Sequence, residues 1–275
     1  MKQHLALTVI EEKLSRRLGT DYYQDFSYSF KNIPTFKMTM RANYRTHQDG
    51  KYTGLVSKEY KSILDVKKID EKVFSISGTS FFLDQTLYNQ KLVGYSVDEV
   101  VKTNYWIYSD GVMSVSDTQY PYIRNIPYFL ESFNPDQIYS QIGSYVTIIK
   151  NGDKTKKYVL PTTVVMRYSG ENEIFGKKCD LFEGSFIVKT SPAYKEIKNI
   201  TGKHNLRIFF DNKIGMPAYI EDYFTDNFVV SDNSIDTTIV HDGFYLYFYE
   251  PYRKLRINLT SEENQQELMK KPEIE

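Results

Sequence analysis

From residue 21 to about residue 259 the sequence is a succession of short runs rich in Tyr, Phe, Val, Ile and Thr, and the period of a helix is absent. Apolar and polar residues alternate with period two in 26–30 and 38–44, which is typical of half-buried strands. Turn signals separate the runs, for example Asn-Gly at 151–152. Since no helix long enough for a parallel crossover lies between the runs, we predict an all-β fold with a largely antiparallel, curved sheet or half-barrel.

The pattern predicts about sixteen strands. They cover 26–30, 38–44, 57–66, 73–82, 90–97, 103–108, 112–115, 145–150, 156–160, 162–168, 178–188, 206–210, 218–224, 228–231, 234–241 and 244–249. Turns are predicted at 47–51, 109–111, 151–153, 170–176 and 211–217. The segment 121–135 contains Pro121, Pro127 and Pro135, so we expect a connector there. The run Phe-Tyr-Leu-Tyr-Phe-Tyr at 244–249 predicts an interior strand covered on both faces.

The two ends of the chain differ from this pattern. Leu7, Ile10, Leu14 and Leu18 recur at helical spacing, and Gly19 can supply a C-cap, which predicts an amphipathic helix over 1–19. Residues 261–275 predict a polar tail, so 20–260 is expected to be a single β-rich domain. The sequence as given shows no signal peptide and no transmembrane run. We therefore expect either a cytoplasmic protein or a sequence that begins after its export signal.

Composition limits the possible partners but leaves the use of the aromatic residues open. Lys and Arg together number 35, as do Asp and Glu, so the net charge of zero removes the compositional argument for nucleic acid or an anionic membrane. Aromatic residues make up 15% of the chain, with 24 Tyr and 17 Phe. They either fill an ordinary β core through cross-strand pairs or line a cavity for an apolar ligand.

Residues that could carry catalysis or bind a metal are scattered. His4, His47, His204 and His241 have no second ligand at a metal-binding spacing, so no metal or cofactor is predicted. His241 and Asp242 are expected at a hairpin turn, without a nucleophile. Cys179 lies in an alternating run and is expected to be a small buried hydrophobe. Glu221 and Asp222 should point to opposite faces of their strand. No catalytic residue is predicted, and the position of any ligand or partner surface is unknown.

Several segments together resemble the N-terminal β-rich region of spirochaetal OmpA-family envelope proteins. They are Tyr120-Pro-Tyr-Ile-Arg-Asn-Ile-Pro-Tyr-Phe129, 158–170, Gly176-Lys-Lys-Cys-Asp-Leu-Phe182, Phe209-Phe-Asp-Asn-Lys-Ile-Gly-Met-Pro217 and Glu221-Asp222-Tyr223. The resemblance covers about residues 20–260 and implies a periplasmic protein or one at the inner face of the outer membrane. Pro135-Asp-Gln-Ile-Tyr139 departs from the family's Pro-Gly-Asp-x-Trp. The peptidoglycan-binding domain that normally follows is absent from this sequence. The hairpin at 211–217 is also similar to LolA-like periplasmic folds.

The absence of a catalytic motif and this resemblance together predict a non-enzymatic cell-envelope protein that acts in envelope assembly or maintenance by binding a partner protein. One alternative is a lipid or lipoprotein carrier with an aromatic-lined apolar groove. A second alternative, an integral outer-membrane barrel, is disfavoured because Lys or Arg occurs in either phase of strand candidates such as 58–66.

Overall fold

The computed structural model describes residues 24–25, 30–71, 73–88, 91–108, 113–115, 132–133, 138–151, 153–232 and 234–251. These residues form thirteen strands and no helix. The strands are β1 (Gln24–Asp25), β2 (Thr35–Gln48), β3 (Lys51–Lys68), β4 (Val73–Tyr88), β5 (Lys91–Tyr108), β6 (Met113–Val115), β7 (Ser132–Phe133), β8 (Ile138–Asn151), β9 (Lys154–Ile174), β10 (Lys177–Val188), β11 (Ile197–Asp211), β12 (Met216–Asp232) and β13 (Ile235–Pro251).

Eleven of these strands form one antiparallel sheet. Its spatial order is β6-β5-β4-β3-β2-β13-β12-β11-β10-β9-β8, and β1 pairs with β7 in a separate two-stranded ribbon. Neighbours in the large sheet are consecutive in the chain except where β13 pairs with β2. That one non-local pairing joins an N-terminal meander to a C-terminal one. The predicted all-β, antiparallel class is therefore confirmed.

The sheet is strongly curved. Strands β2 and β8 are six positions apart in the spatial order, which corresponds to about 29 Å in a flat sheet. Yet Gln48 Nε2 at the end of β2 donates a hydrogen bond of 3.4 Å to Asn151 Oδ1 at the end of β8. The Tyr145 ring on β8 likewise lies 4.7 Å from the His204 ring on β11. One face of the sheet is thus concave and closes on itself, as a half-barrel does.

Period-two alternation decides which side chains enter the concave face. From position 220 to position 228 of β12 the buried residues are Ile220, Asp222, Phe224, Asp226 and Phe228, whereas the residues between them point to the outer face. The predicted separation of Glu221 from Asp222 is confirmed, since Asp222 is 1% exposed and Glu221 lies on the opposite face. The same alternation on the other strands assembles one hydrophobic core inside the curve.

Large aromatic side chains fill this core. Its bulkiest members, each less than 2% exposed, are Tyr145, Tyr247, Phe36, Phe182, Phe210 and Phe228, together with Met38. Complete burial of an aromatic side chain contributes roughly 1.5–3 kcal/mol of transfer free energy. Among the described residues, aromatic content therefore serves largely as ordinary core filling.

Strands are longer and fewer than the sequence pattern predicts. The predicted turn at 170–176 is wrong in extent, because β9 continues to Ile174 and only Phe175 and Gly176, both with positive φ, form the turn. The predicted break between 234–241 and 244–249 is also wrong, since β13 runs without interruption from Ile235 to Pro251. Asp242 and Gly243 pair with β12 on one side and with β2 on the other. This cross-strand pairing overrides the preference of both residues for turns.

Gly243 has a packing role in this uninterrupted strand. A Cβ atom there would lie 2.1 Å from the carbonyl oxygen of Asn43 and 2.4 Å from the Cα of Tyr44 on β2. Close approach of two backbones therefore requires glycine at this position. The prediction that 244–249 is an interior strand is confirmed, because β13 lies between β12 and β2. The prediction that both of its faces are covered is wrong for the outer face, where Phe244, Leu246 and Phe248 are only half-buried.

Of the remaining predictions, some concern turns that the structure confirms, and the others concern segments outside the described residues. The turn at 47–51 is confirmed, with positive φ at Asp49 and Gly50, and so is the β11–β12 connection. The N-terminal helix 1–19, the tail 261–275, the turn 109–111 and most of the connector 121–135 lie outside the described residues. Among the described residues, no helix is long and apolar enough to cross a membrane.

Candidate functional site

A histidine held between two carboxylates lies inside the concave face. Nδ1–H of His204 on β11 donates to the Asp222 carboxylate, 2.9 Å from Oδ1 and 3.0 Å from Oδ2. Nε2–H of the same ring donates to Asp226 Oδ2 at 3.3 Å. Asp222 and Asp226 are four residues apart on β12, so both face the core. Because both ring nitrogens face carboxylate oxygens, the ring is a doubly protonated imidazolium.

Aromatic rings surround this imidazolium. Phe186 stacks on one side of the His204 ring at 3.9 Å, and Phe224 stacks on it at 5.0 Å. Tyr145 contacts its edge at 4.7 Å, and Tyr245 extends the stack beyond Phe224 at 4.7 Å. An imidazolium over aromatic faces gains cation–π attraction in addition to its ion pairs. The site is therefore a charged group enclosed in an apolar shell.

The pKa values of the site follow from burial and mutual attraction. Burial lowers the pKa of His204, but the Asp222 and Asp226 carboxylates outweigh it and raise that pKa to about 9. Burial raises the pKa of Asp222, and the His204 charge opposes this rise. Burial, followed by the charges of Asp226 and Asp222, raises the pKa of Tyr145 well above its ordinary value. The cluster thus keeps His204 charged and Tyr145 neutral at neutral pH.

One oxygen of the cluster makes no hydrogen bond within the described part of the chain. Asp226 Oδ1 is fully buried and lies beside Gly202, where an added Cβ would be 2.2 Å from it. A buried acceptor without a partner costs roughly 1–3 kcal/mol. The stabilisation from the His204 ion pairs must offset this cost for the cluster to persist.

A second histidine, His241, lies beside the cluster, and its pKa is shifted in the opposite direction from that of His204. His241 is 5% exposed, is the cross-strand partner of Asp226, and contacts the rings of Tyr44 and Phe228 at 5.3 and 5.5 Å. Burial lowers its pKa to about 4, although Asp226 opposes this. Its predicted place at a hairpin turn is wrong, because it lies in the middle of β13. Asp242 points outward and accepts a 2.7 Å hydrogen bond from Thr225 Oγ1.

The arrangement defines a structural polar cluster. Both nitrogens of His204 are already occupied, so the ring has no free position for a proton acceptor or a metal. No group of three or more His, Cys, Asp or Glu among the described residues has the geometry of a metal site. The sequence analysis did not identify this cluster. A usable signal was present, since acidic residues at 222 and 226 share the phase of Ile220 and Phe228 on the predicted core face.

The other residues considered from the sequence lie apart from this cluster. Cys179 is a free, buried thiol whose pKa is raised to about 11, chiefly by burial and then by Asp211, which confirms the expected small buried hydrophobe. His47 lies near the β2–β3 turn and contacts the ring of Tyr52 at 5.7 Å. His4 is outside the described residues.

The outer face of β12 and β13 carries an aromatic surface, which we call the outer patch and define as Phe175, Tyr219, Tyr223, Phe244 and Phe248. Phe175 from the β9–β10 turn contacts the rings of Tyr219 and Phe248 at 5.5 and 6.0 Å. Tyr223 packs against Phe244 at 5.8 Å. Phe175 is 50% exposed and Tyr223 48% exposed, so the patch reaches solvent.

Paired charges border the outer patch on both sides. On one side Arg207 forms ion pairs with Glu221 at 3.2 Å and Glu183 at 3.6 Å. On the other side Arg41 pairs with Glu59 at 2.9 Å, and its guanidinium lies 5.4 Å from the centre of the Phe248 ring. Cross-strand register aligns these residues in one transverse row across the sheet. The outer patch is therefore apolar and bordered by ion pairs, and the two Arg and three Glu of these pairs have a net charge of −1.

No protein-family model and no curated protein matches the sequence. Among solved structures, the chain is similar to a DUF1329 family protein from Desulfovibrio piger, with 8% sequence identity, 96% of this chain and 98% of that chain covered, and a TM-score of 0.23. A TM-score this low does not establish a common fold, so the fold assignment rests on the strand pairing and curvature described above.

Proposed function

We propose that this chain is a non-enzymatic cell-envelope protein that acts in envelope assembly or maintenance by binding a partner protein. The observation that carries the proposal is that, in the described residues, the chain's own aromatic side chains are buried in the concave face, while Phe175 and Tyr223 of the outer patch are exposed. We therefore assign partner binding to the outer surface. The envelope assignment is supported by the resemblance of residues 20–260 to the spirochaetal OmpA-family region.

The composition of the outer patch is that of a protein interface. Aromatic residues and Arg are enriched in the centres of such interfaces, whereas Lys is depleted. Tyr223 and Phe175 supply exposed aromatic surface, and Arg41 and Arg207 supply guanidinium groups held by carboxylates. We expect the partner to present an apolar protein surface with little net charge at its centre, because the charges bordering the patch are already paired.

Photocrosslinking in cells tests this proposal. A photoreactive phenylalanine analogue at Tyr223 should give one dominant protein adduct in the envelope fraction. The same analogue at Ile69, which is 52% exposed in the β3–β4 connection and is not part of the outer patch, is the matched control and should not give it. Phe244→Ser should abolish the adduct at Tyr223. Recovery of the protein in the cytosolic fraction would refute the envelope assignment, and identical adducts from both positions would refute binding at the outer patch.

The lipid-carrier alternative makes a separate prediction. A carrier needs an open apolar cavity, yet the inner residues Tyr145, Phe182 and Phe210 all belong to one buried hydrophobic cluster. We expect native mass spectrometry of the purified protein to show the bare chain mass. A co-purified lipid released on denaturation would replace the partner-binding proposal with the carrier.

A further inference from the structure

Four turns at one end of the sheet form a continuous surface, which we call the rim. They comprise residues 47–53, 150–151, 153–157, 189–198, 231–232 and 234–237, and they connect β2 to β3, β8 to β9, β10 to β11 and β12 to β13. Polar contacts join them in sequence around this end. Gln48 bonds to Asn151, Lys154 Nζ pairs with Asp232 Oδ2 at 2.6 Å, and Ser231 N donates to Glu196 O at 2.7 Å.

The rim is basic, although the whole chain is neutral. Its four segments contain eight lysines and five carboxylates, which leaves a local charge of +3. Lys154, Lys156 and Lys198 pair with acidic residues of neighbouring turns. Lys51, Lys150, Lys189 and Lys195 are exposed and make no ion pair with any described residue. Four free ammonium groups therefore project from this end.

Apolar side chains project from the same end. Tyr52 is 60% exposed at the β2–β3 turn, and Ile235, 71% exposed, begins β13 at the β12–β13 turn. Leu55 on β3 and Ile187 on β10, both close to the rim, are 48% and 51% exposed. Four of the seven large hydrophobic side chains that are exposed in the described residues thus lie at or near the rim.

The opposite end of the sheet has a different charge. Its segments 30–35, 65–71, 171–178, 211–216 and 249–251 contain six lysines and seven carboxylates, a local charge of −1. Lysines are present there in similar number, so the rim is distinguished by its smaller number of acids. The described chain is therefore polarised along its strands.

We propose that the rim binds the surface of an anionic lipid bilayer, with the free lysines at the headgroups and Tyr52 and Ile235 inserted at the interface. Clustered Lys at a bilayer surface contributes attraction that adds residue by residue, and exposed aromatic and aliphatic side chains at the same level bury apolar area. Nucleic acid would use the lysines but would leave Ile235 and Leu55 exposed to water, so the apolar component favours lipid. The rim and the outer patch are separate surfaces, so vesicle binding and crosslinking at Tyr223 can fail independently.

Vesicle flotation with the full chain tests this proposal. We expect the protein to float with vesicles of phosphatidylcholine mixed with phosphatidylglycerol, and not with vesicles of phosphatidylcholine alone. Binding should weaken as salt rises, because screening shortens the reach of the lysine charges. Replacing Lys51, Lys150, Lys189 and Lys195 with Gln should weaken binding by about six-hundredfold, at about fivefold for each lysine.

The matched control replaces four lysines of the opposite end, Lys67, Lys68, Lys178 and Lys213, with Gln. These residues are also exposed, and the change in net charge is identical. This variant should retain binding, whereas the double variant Tyr52→Ser with Ile235→Ser should lose the part of the binding that persists at high salt. Equal loss in both lysine variants, no flotation of the unmodified chain, or rim-dependent binding of duplex DNA at equal strength would overturn the proposal. All eight lysines are exposed, so unchanged thermal unfolding of both variants is expected and verifies that the fold is intact.

Discussion

Replacing His204 with Phe tests the buried ion pairs at the centre of the concave face. The substitution removes the imidazolium and leaves Asp222 and Asp226, 1% and 0% exposed, without their counter-charge. Loss of one partner of a buried ion pair costs about 3–5 kcal/mol. Phe is similar in size and fits the stack between Phe186 and Phe224, so the cost should come from charge and not from a cavity.

The pH dependence separates this explanation from a packing defect. The pKa of His204 is raised from 6.5 to about 9, so its stabilisation is complete below pH 6.5 and is lost as the pH rises through 9. A pKa difference of this size corresponds to about 3 kcal/mol. The free energy of unfolding lost through the substitution should therefore be largest near pH 6.5 and smaller by about 3 kcal/mol at pH values above 9.

Urea denaturation followed by far-ultraviolet circular dichroism, at pH 6.5 and above pH 9, measures both values. His204→Gln provides a second, polar variant if the Phe variant does not fold, and it should show the same pH trend. His47→Phe is the control, since His47 lies near the β2–β3 turn and away from both carboxylates. A loss of stability that is equal at both pH values would refute the assignment of His204 as a buried imidazolium.

Three further predictions concern neighbouring features of the core. His241→Phe should stabilise the protein by up to about 3 kcal/mol at pH 4 and have little effect above pH 6.5. The reason is that the pKa of His241 is lowered to about 4, so the native chain loses stability as the pH falls from 6.5 toward 4; thermal unfolding across this range measures it. Gly243→Ala should cost about 3 kcal/mol or more, because its Cβ would lie 2.1 Å from a backbone oxygen, whereas Gly54→Ala, whose nearest contact is at 3.6 Å, should cost less than about 1 kcal/mol in the same urea assay. Cys179 should react with a maleimide only after denaturation, since burial raises its pKa to about 11; rapid labelling of the native protein would contradict this.

Local sequence was sufficient to predict the fold class and many of the strands. Alternation with period two reports which face of a strand is buried, and this signal does not depend on distant residues. It therefore identified the second half of β8, much of β9 and the return from β2 to β3. It failed at 170–176 and at Asp242-Gly243, where turn-forming residues lie inside long strands. Pairing on both sides of β13 overrides local preference there, and a single sequence does not contain that information.

The candidate site depended more heavily on tertiary contacts. The sequence predicted correctly that Glu221 points away from Asp222, but it placed Asp226 between the predicted strands 218–224 and 228–231, which are one continuous strand in the structure. It could not place His204 between Asp222 and Asp226, because that contact depends on the register of β11 against β12. It also could not decide whether the aromatic residues line a cavity or fill a core. In the described residues the inner aromatic side chains belong to one buried cluster, which favours core filling, and the curvature that brings Tyr145 to His204 assembles it.

The distribution of charge on the surface also depended on the tertiary structure. The sequence by itself determined that 35 basic residues balance 35 acidic ones, and from that balance it gave no reason to expect an anionic surface as a partner. Only the tertiary structure decided where those charges lie. Four turns separated by up to about 190 residues meet at one end because the sheet curves and β13 pairs with β2, as the hydrogen bond between Thr238 N and Asp49 Oδ1 records. Composition adds charges without regard to position, whereas binding depends on which charges share a surface.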